Sequence, residues 1–351
     1  MWGGTLGTSP APGGAGPPAD GLALPGYPLL NSRLLERAGL SFGTLSPPRM
    51  LVPVLVRRWL SRALFLLASC AVKQGPVADK TPAQTQAAYT ITRDVPYGTD
   101  PAQTLDLYLA ADGPKRRAQH YTVVFLHGGG YYLSDKAKEE RYIQPYLKKG
   151  VTVVNLNYRL KRGIPLATED LTLALNFLRA HQGAYPLNLS RVVLTGFSAG
   201  AHIASLVAVT ANDPAYAHPL APGIRIAGVV NFSGPVGGLD VVEAVFMNHP
   251  VPVMKEIGLA LFPETVGYAP KDVTRQYEPL TYWDAHDPPF FVWYGGQDDQ
   301  VPPVTFEGFV DRLQQNRQKN TVLFVAGGHH SPSATELAAA YQRIFPFLDK
   351  L

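Results

Sequence analysis

A chain of 351 residues that is 46% hydrophobic and 17% charged carries enough apolar side chain to build a core, which excludes a wholly disordered protein. Its single cysteine excludes an internal disulfide framework and any zinc site built on several thiolates. The formal net charge of +4 arises at the N-terminal end, because six Lys/Arg against two Asp/Glu within residues 1–69 leave the rest of the chain with equal numbers of each sign. A neutral body has no basic face to displace counterions, so nucleic acid is not an expected partner.

Residues 1–28 hold eight glycines and six prolines with almost no charge, a composition that cannot bury enough apolar surface to offset chain entropy. Disorder is expected there. From Met50 the text becomes arginine-containing and then apolar, in the manner of a secretory signal, and the run is too short to span a bilayer, which takes about 20 apolar residues. It ends in Leu67-Ala68-Ser69-Cys70, which resembles the lipobox of bacterial lipoproteins, and the only cysteine of the chain is the one a lipid would modify. The expectation is an exported, membrane-anchored lipoprotein that begins at Cys70, with residues 1–49 disordered or an upstream extension. An amphipathic helix over 54–68 is the other reading of the same residues. Residues 72–88, poor in large apolar side chains, read as a tether before a domain over 71–351.

Two alternating stretches, 89–95 and 104–109, read as an antiparallel pair at a sheet edge. Apolar runs of strand length follow at 122–126, 151–156, 191–195, 227–232, 290–294 and 321–325, with helix-period stretches at 167–181, 199–211, 305–315 and 334–347. Alternating α and β with near-continuous apolar strands predicts an α/β fold: a mostly parallel sheet with helices on both faces. Residues 234–284 interrupt the alternation and read as an insertion. Its apolar side chains, among them Phe246, Met247, Val253, Ile257 and Leu261, suit lid helices over a hydrophobic pocket and equally suit packing onto the sheet.

Four strand ends carry chemistry. Gly196-Phe197-Ser198-Ala199-Gly200 lies between a strand and a helix, where a nucleophile elbow needs small residues two positions either side of the serine. His127-Gly128-Gly129-Gly130 ends the strand 122–126, and a glycine run lets backbone N–H groups approach a developing oxyanion. The last two strands run into Asp298-Asp299-Gln300-Val301-Pro302 and into Gly327-Gly328-His329-His330-Ser331-Pro332, an acid and a base for the serine. Tyr131 and Tyr132, after the glycines, suggest an aromatic wall. His202, four residues past Ser198, reads as a packed or hydrogen-bonded support.

From about residue 90 onward the chain resembles the α/β-hydrolase superfamily, and within it the carboxylesterases with a His-Gly-Gly-Gly motif, the hormone-sensitive-lipase and feruloyl-esterase-like groups. The resemblance implies Ser198 as nucleophile, with Gly128, Gly129 and Ala199 supplying oxyanion N–H donors. Asp298 matches the acid of the pattern Asp-x-x-Val-Pro. For the base, Gly-x-x-His and His-Ser-Pro favour His330, while a Gly-His pattern favours His329. The implied activity is hydrolysis of a small-molecule ester, with no metal and no cofactor. An arylformamidase-like amidase, an exopeptidase, or a non-catalytic binding protein of the same fold are the alternatives.

Overall fold

The computed structural model describes residues 89–111, 120–211, 213, 219–262, 274–315 and 319–351. The expectations about residues 1–88, including lipidation of Cys70 and the tether, lie outside the described residues, as does the stretch 263–273 of the insertion.

Eight strands form one sheet: β1 (Tyr89–Pro96), β2 (Thr104–Ala110), β3 (Thr122–Leu126), β4 (Val153–Leu156), β5 (Val192–Phe197), β6 (Ile226–Phe232), β7 (Phe290–Gly295) and β8 (Thr321–Val325). Their order is β1-β2-β4-β3-β5-β6-β7-β8. β2 runs antiparallel to both of its neighbours, β1 and β4, and every other pair is parallel. This is the α/β-hydrolase architecture that the resemblance implies, with the antiparallel pair at one edge.

Helices cover both faces: α1 (Gln144–Lys148), α2 (Gly163–Ala180), α3 (Ala199–Thr210), α4 (Leu239–Met247), α5 (Pro252–Leu261), α6 (Pro279–Tyr282), α7 (Glu307–Gln315) and α8 (Ala334–Leu348). Side chains alternate along each strand, so Val123 and Phe125 join a core with Tyr142, Tyr146, Tyr341 and Ile344. Val124 and Leu126 point the other way, into a core with Leu171, Ile203, Val207 and Phe309. With both sides covered, all five residues of β3 are buried, which is why the strand reads as an unbroken apolar run. Helix α2 starts earlier than its periodicity predicts, at Gly163, since Pro165 in a first turn lacks only an N–H that the helix would leave unpaired.

Register then decides where the loops go. Leu126 pairs with Gly196 and Phe197 with Phe232, so β3, β5 and β6 end within one residue of one another, while Phe232 pairs with Trp293 and Gly295 with Val325, so β7 and β8 run two residues further. The loops that follow them meet at the carboxyl end of the sheet, where open α/β sheets bind ligands.

Candidate active site

Ser198 occupies the single residue between β5 and α3, at φ 51° and ψ −121°. A non-glycine residue with this backbone carries strain of order 1–3 kcal/mol, held in place by its surroundings. Those surroundings are close. A β-carbon on Gly196 would lie 2.4 Å from the Gly200 carbonyl carbon, and one on Gly200 would lie 2.3 Å from the Leu126 oxygen. Both glycines of the motif are therefore required by contact, and the serine N–H is fixed by a 2.8 Å bond to the Phe232 carbonyl.

The serine faces an imidazole. Nε2 of His330 lies 2.9 Å from Ser198 Oγ, and Nδ1 lies 2.8 Å from Asp298 Oδ2. A carboxylate oxygen only accepts, so Nδ1 bears the proton and Nε2 keeps a lone pair for the serine O–H. The other oxygen of Asp298 accepts from the backbone N–H of Val301 at 2.8 Å and Gln300 at 3.0 Å, which locks the carboxyl orientation. Ser198, Asp298 and His330 are all buried, whereas His329 is exposed and Asp299 turns outward. Of the two candidate histidines, the structure brings His330 to the serine. Directly behind it, Ser333 and Glu336 form a capping box that starts α8, an arrangement worth about 1 kcal/mol.

Beside the serine runs the glycine loop. A β-carbon on Gly128 would stand 2.7 Å from the ring of Phe197, the residue preceding Ser198, and that ring packs 5.1 Å from the His330 ring. The N–H groups of Gly128, Gly129 and Ala199 donate to nothing among the described residues. Unpaired donors at a helix start and in an adjoining glycine loop are suited to receive negative charge on a substrate oxygen. His127 is structural: its buried ring stacks on Tyr158 with centroids 4.4 Å apart, Nδ1 contacts the Gly128 carbonyl, and burial lowers its pKa to about 4. Tyr158 in turn donates to the His127 carbonyl at 3.0 Å. Farther along, the buried Asp106 joins Lys136 and Arg93, while Asn157 accepts from the Lys136 N–H, so the segment after the glycines is anchored to β2 and to the end of β4.

A family model described as BD-FAE matches residues 105–313, more than half of the chain. The chain belongs to the BD-FAE family. The BD-FAE match contains the glycine run, Ser198 and Asp298 and stops before His330. Among curated relatives, "Esterase LipC" of Mycobacterium tuberculosis is 27% identical over 73% of this chain and 64% of its own length. "Probable carboxylic ester hydrolase LipM" of the same organism is 30% identical over 54% of this chain and 44% of its own. The chain thus spans about half to two thirds of the curated relatives it matches. Among solved structures, a "Bifunctional GH43-CE" of Bacteroides eggerthii superposes with a TM-score of 0.59 at 26% identity, covering 74% of this chain and 38% of that one.

Two features of this BD-FAE site depart from the sequence expectation or escape it. Tyr131, expected with Tyr132 as an aromatic wall, is buried with its hydroxyl against His202, while Tyr132 is half-buried with the Lys161 ammonium over its ring. Ser233, just past β6, donates to the His330 carbonyl, a role with no sequence signal because a serine in a turn is commonplace. The insertion divides its apolar residues. Phe246, Ile257 and Leu261 are buried while Met247 and Val253 are exposed, and Ile257 lies where a β-carbon on Gly130 would stand.

Proposed function

We propose that this chain is a serine hydrolase that cleaves carboxylic esters through an acyl-enzyme on Ser198. The observation that carries the reading is the continuous hydrogen-bonded line from Ser198 Oγ through His330 to Asp298, at 2.9 and 2.8 Å. In this scheme Oγ attacks the ester carbonyl carbon as its proton passes to Nε2 of His330, and Asp298 steadies the imidazolium. The carbonyl oxygen, now negative, takes hydrogen bonds from the N–H groups of Gly128, Gly129 and Ala199. Collapse breaks the C–O bond, and the leaving alkoxide receives the proton held on Nε2. Water, losing a proton to the same nitrogen, then attacks the acyl carbon; the bond from that carbon to Oγ breaks, the acid leaves, and Nε2 returns the proton to Ser198 Oγ. The scheme calls on no cofactor, because the leaving group needs only a proton.

The names of the relatives, an esterase and a probable carboxylic ester hydrolase, support an ester as the substrate class. The test is labelling with a fluorophosphonate, followed by a panel of aryl esters of graded acyl length. Covalent modification at Ser198 together with ester turnover is expected; a chain that folds but takes no probe and turns over no ester overturns the reading.

The proposal extends to location. We place the catalytic domain outside a bacterial cytoplasm, tethered by lipid on Cys70, on the strength of the arginines, the short apolar run and Leu67-Ala68-Ser69-Cys70. Mass spectrometry of a membrane fraction is expected to find a lipid-modified Cys70 and no peptide upstream of it. A soluble product that retains residues 57–67 overturns the location and leaves the hydrolase reading standing.

A further inference from the structure

The glycine loop turns on itself, with the N–H groups of Tyr132 and Leu133 donating to the Gly129 carbonyl at 3.1 and 2.9 Å. Gly129 and Gly130 have φ of 103° and 60°, and Tyr131 follows at 61°. Such a run belongs to no helix or strand, and a tyrosine in the left-handed region persists only when its surroundings compel it. Two restraints act on Tyr131 itself from outside the loop, and one is on its main chain: the Lys161 N–H donates to the Tyr131 carbonyl at 2.7 Å. The other is on the side chain, and it reaches toward the nucleophile.

The Tyr131 hydroxyl lies 2.5 Å from Nδ1 of His202, and Nε2 of the same ring lies 2.6 Å from the carbonyl of Tyr277. A carbonyl oxygen can only accept, so Nε2 carries the proton, Nδ1 offers a lone pair, and the tyrosine O–H donates to it. Burial of the ring lowers its pKa to about 4, which keeps this neutral form at physiological pH. His202 sits one turn into α3, and its own N–H donates to the Ser198 carbonyl at 3.0 Å. One residue therefore joins the glycine loop, the helix that follows the serine, and the insertion at Tyr277.

We propose that His202 is a positioning residue: through the Tyr131 hydroxyl it sets where the N–H groups of Gly128 and Gly129 stand relative to Ser198. The inference rests on the esterase reading, since it concerns an oxyanion formed on Ser198. Its role is exerted in the transition state, where charge appears on the substrate oxygen, and displacement of a donor by a fraction of an ångström weakens that stabilisation with little effect on ground-state binding.

The experiment compares Tyr131→Phe, His202→Phe, their double variant and His202→Gln with the full-length parent, using an activated aryl ester for kcat and KM and thermal unfolding for stability. Tyr131→Phe removes one hydroxyl and keeps the ring, so it is informative even if His202→Phe does not fold. Both single variants are expected to lose about ten- to a hundredfold in kcat with KM changed less than about threefold. The double variant is expected to lose no more than the worse single one, because both break the same link. Glutamine, whose amide can accept from Tyr131 and donate to the Tyr277 carbonyl, is expected to recover most of the loss. Parental kcat in a folded Tyr131→Phe, or losses that multiply in the double variant, overturns the proposal while parental activity upholds the esterase reading. A parent that takes no fluorophosphonate and cleaves no ester overturns both.

Discussion

The hydroxyl of Ser233 donates to the backbone carbonyl of His330 at 2.7 Å. Ser233 leaves β6 at φ 54°, with its N–H bonded to the Trp293 carbonyl of β7, so the loop bearing the imidazole is held from the sheet beneath it. Arg141 grips the same loop from the other side through the Pro332 carbonyl and the Ser331 hydroxyl. Loss of one neutral hydrogen bond of about 1 kcal/mol corresponds to about a fivefold change. Ser233→Ala is accordingly expected to lower kcat about fivefold, and steady-state kinetics showing parental kcat would mean that Arg141 and the capping box of α8 suffice.

Replacing the nucleophile has a larger consequence. Ser198→Ala is expected to reduce turnover of an activated aryl ester by several orders of magnitude and to abolish fluorophosphonate labelling, with circular dichroism unchanged. Retention of more than about a tenth of the activity would remove Ser198 from the mechanism.

The two adjacent histidines separate cleanly by substitution. His330→Ala is expected to approach the Ser198→Ala loss, since members of a triad act as a unit, whereas the exposed His329 is expected to tolerate alanine within about twofold. The opposite ranking in the same assay would exchange their roles.

Stability is expected to rise with pH between about 4 and 6.5. His127 and His202 are buried neutral with pKa values lowered to about 4, so in this window the unfolded chain binds more protons than the native one. Each histidine contributes up to about 3 kcal/mol by this linkage. Asp287 opposes them, because burial raises its carboxyl to about 6 and the native state then holds the extra proton. Glu139 and Glu243, whose carboxyls burial also raises, oppose the histidines in the same sense. The two imidazoles, more deeply buried than any of the three carboxyls, are expected to leave a net gain, checked by melting temperatures across the window. A flat or falling profile would show that one of the two imidazoles is charged in the native protein.

Much of the fold was legible because it rests on periodicity. Strands buried on both faces, such as β3 and β5, appear as apolar runs, and the glycines around Ser198 and after His127 appear because close backbone contact leaves no room for a β-carbon. The identity and chain order of the serine, acid and histidine loops were legible for the same reason: each follows a strand. The sequence by itself therefore determined the α/β architecture, the candidate nucleophile and the loops that answer it. Which histidine faces Ser198 was decided only in three dimensions, since His329 and His330 are one residue apart and differ in which way the backbone turns their side chains. The links from Tyr131 to His202 and from Ser233 to His330 span 71 and 97 residues. No local pattern encodes a hydrogen bond across such separations, because it exists only once the register of β3, β5 and β6 has brought their ends level.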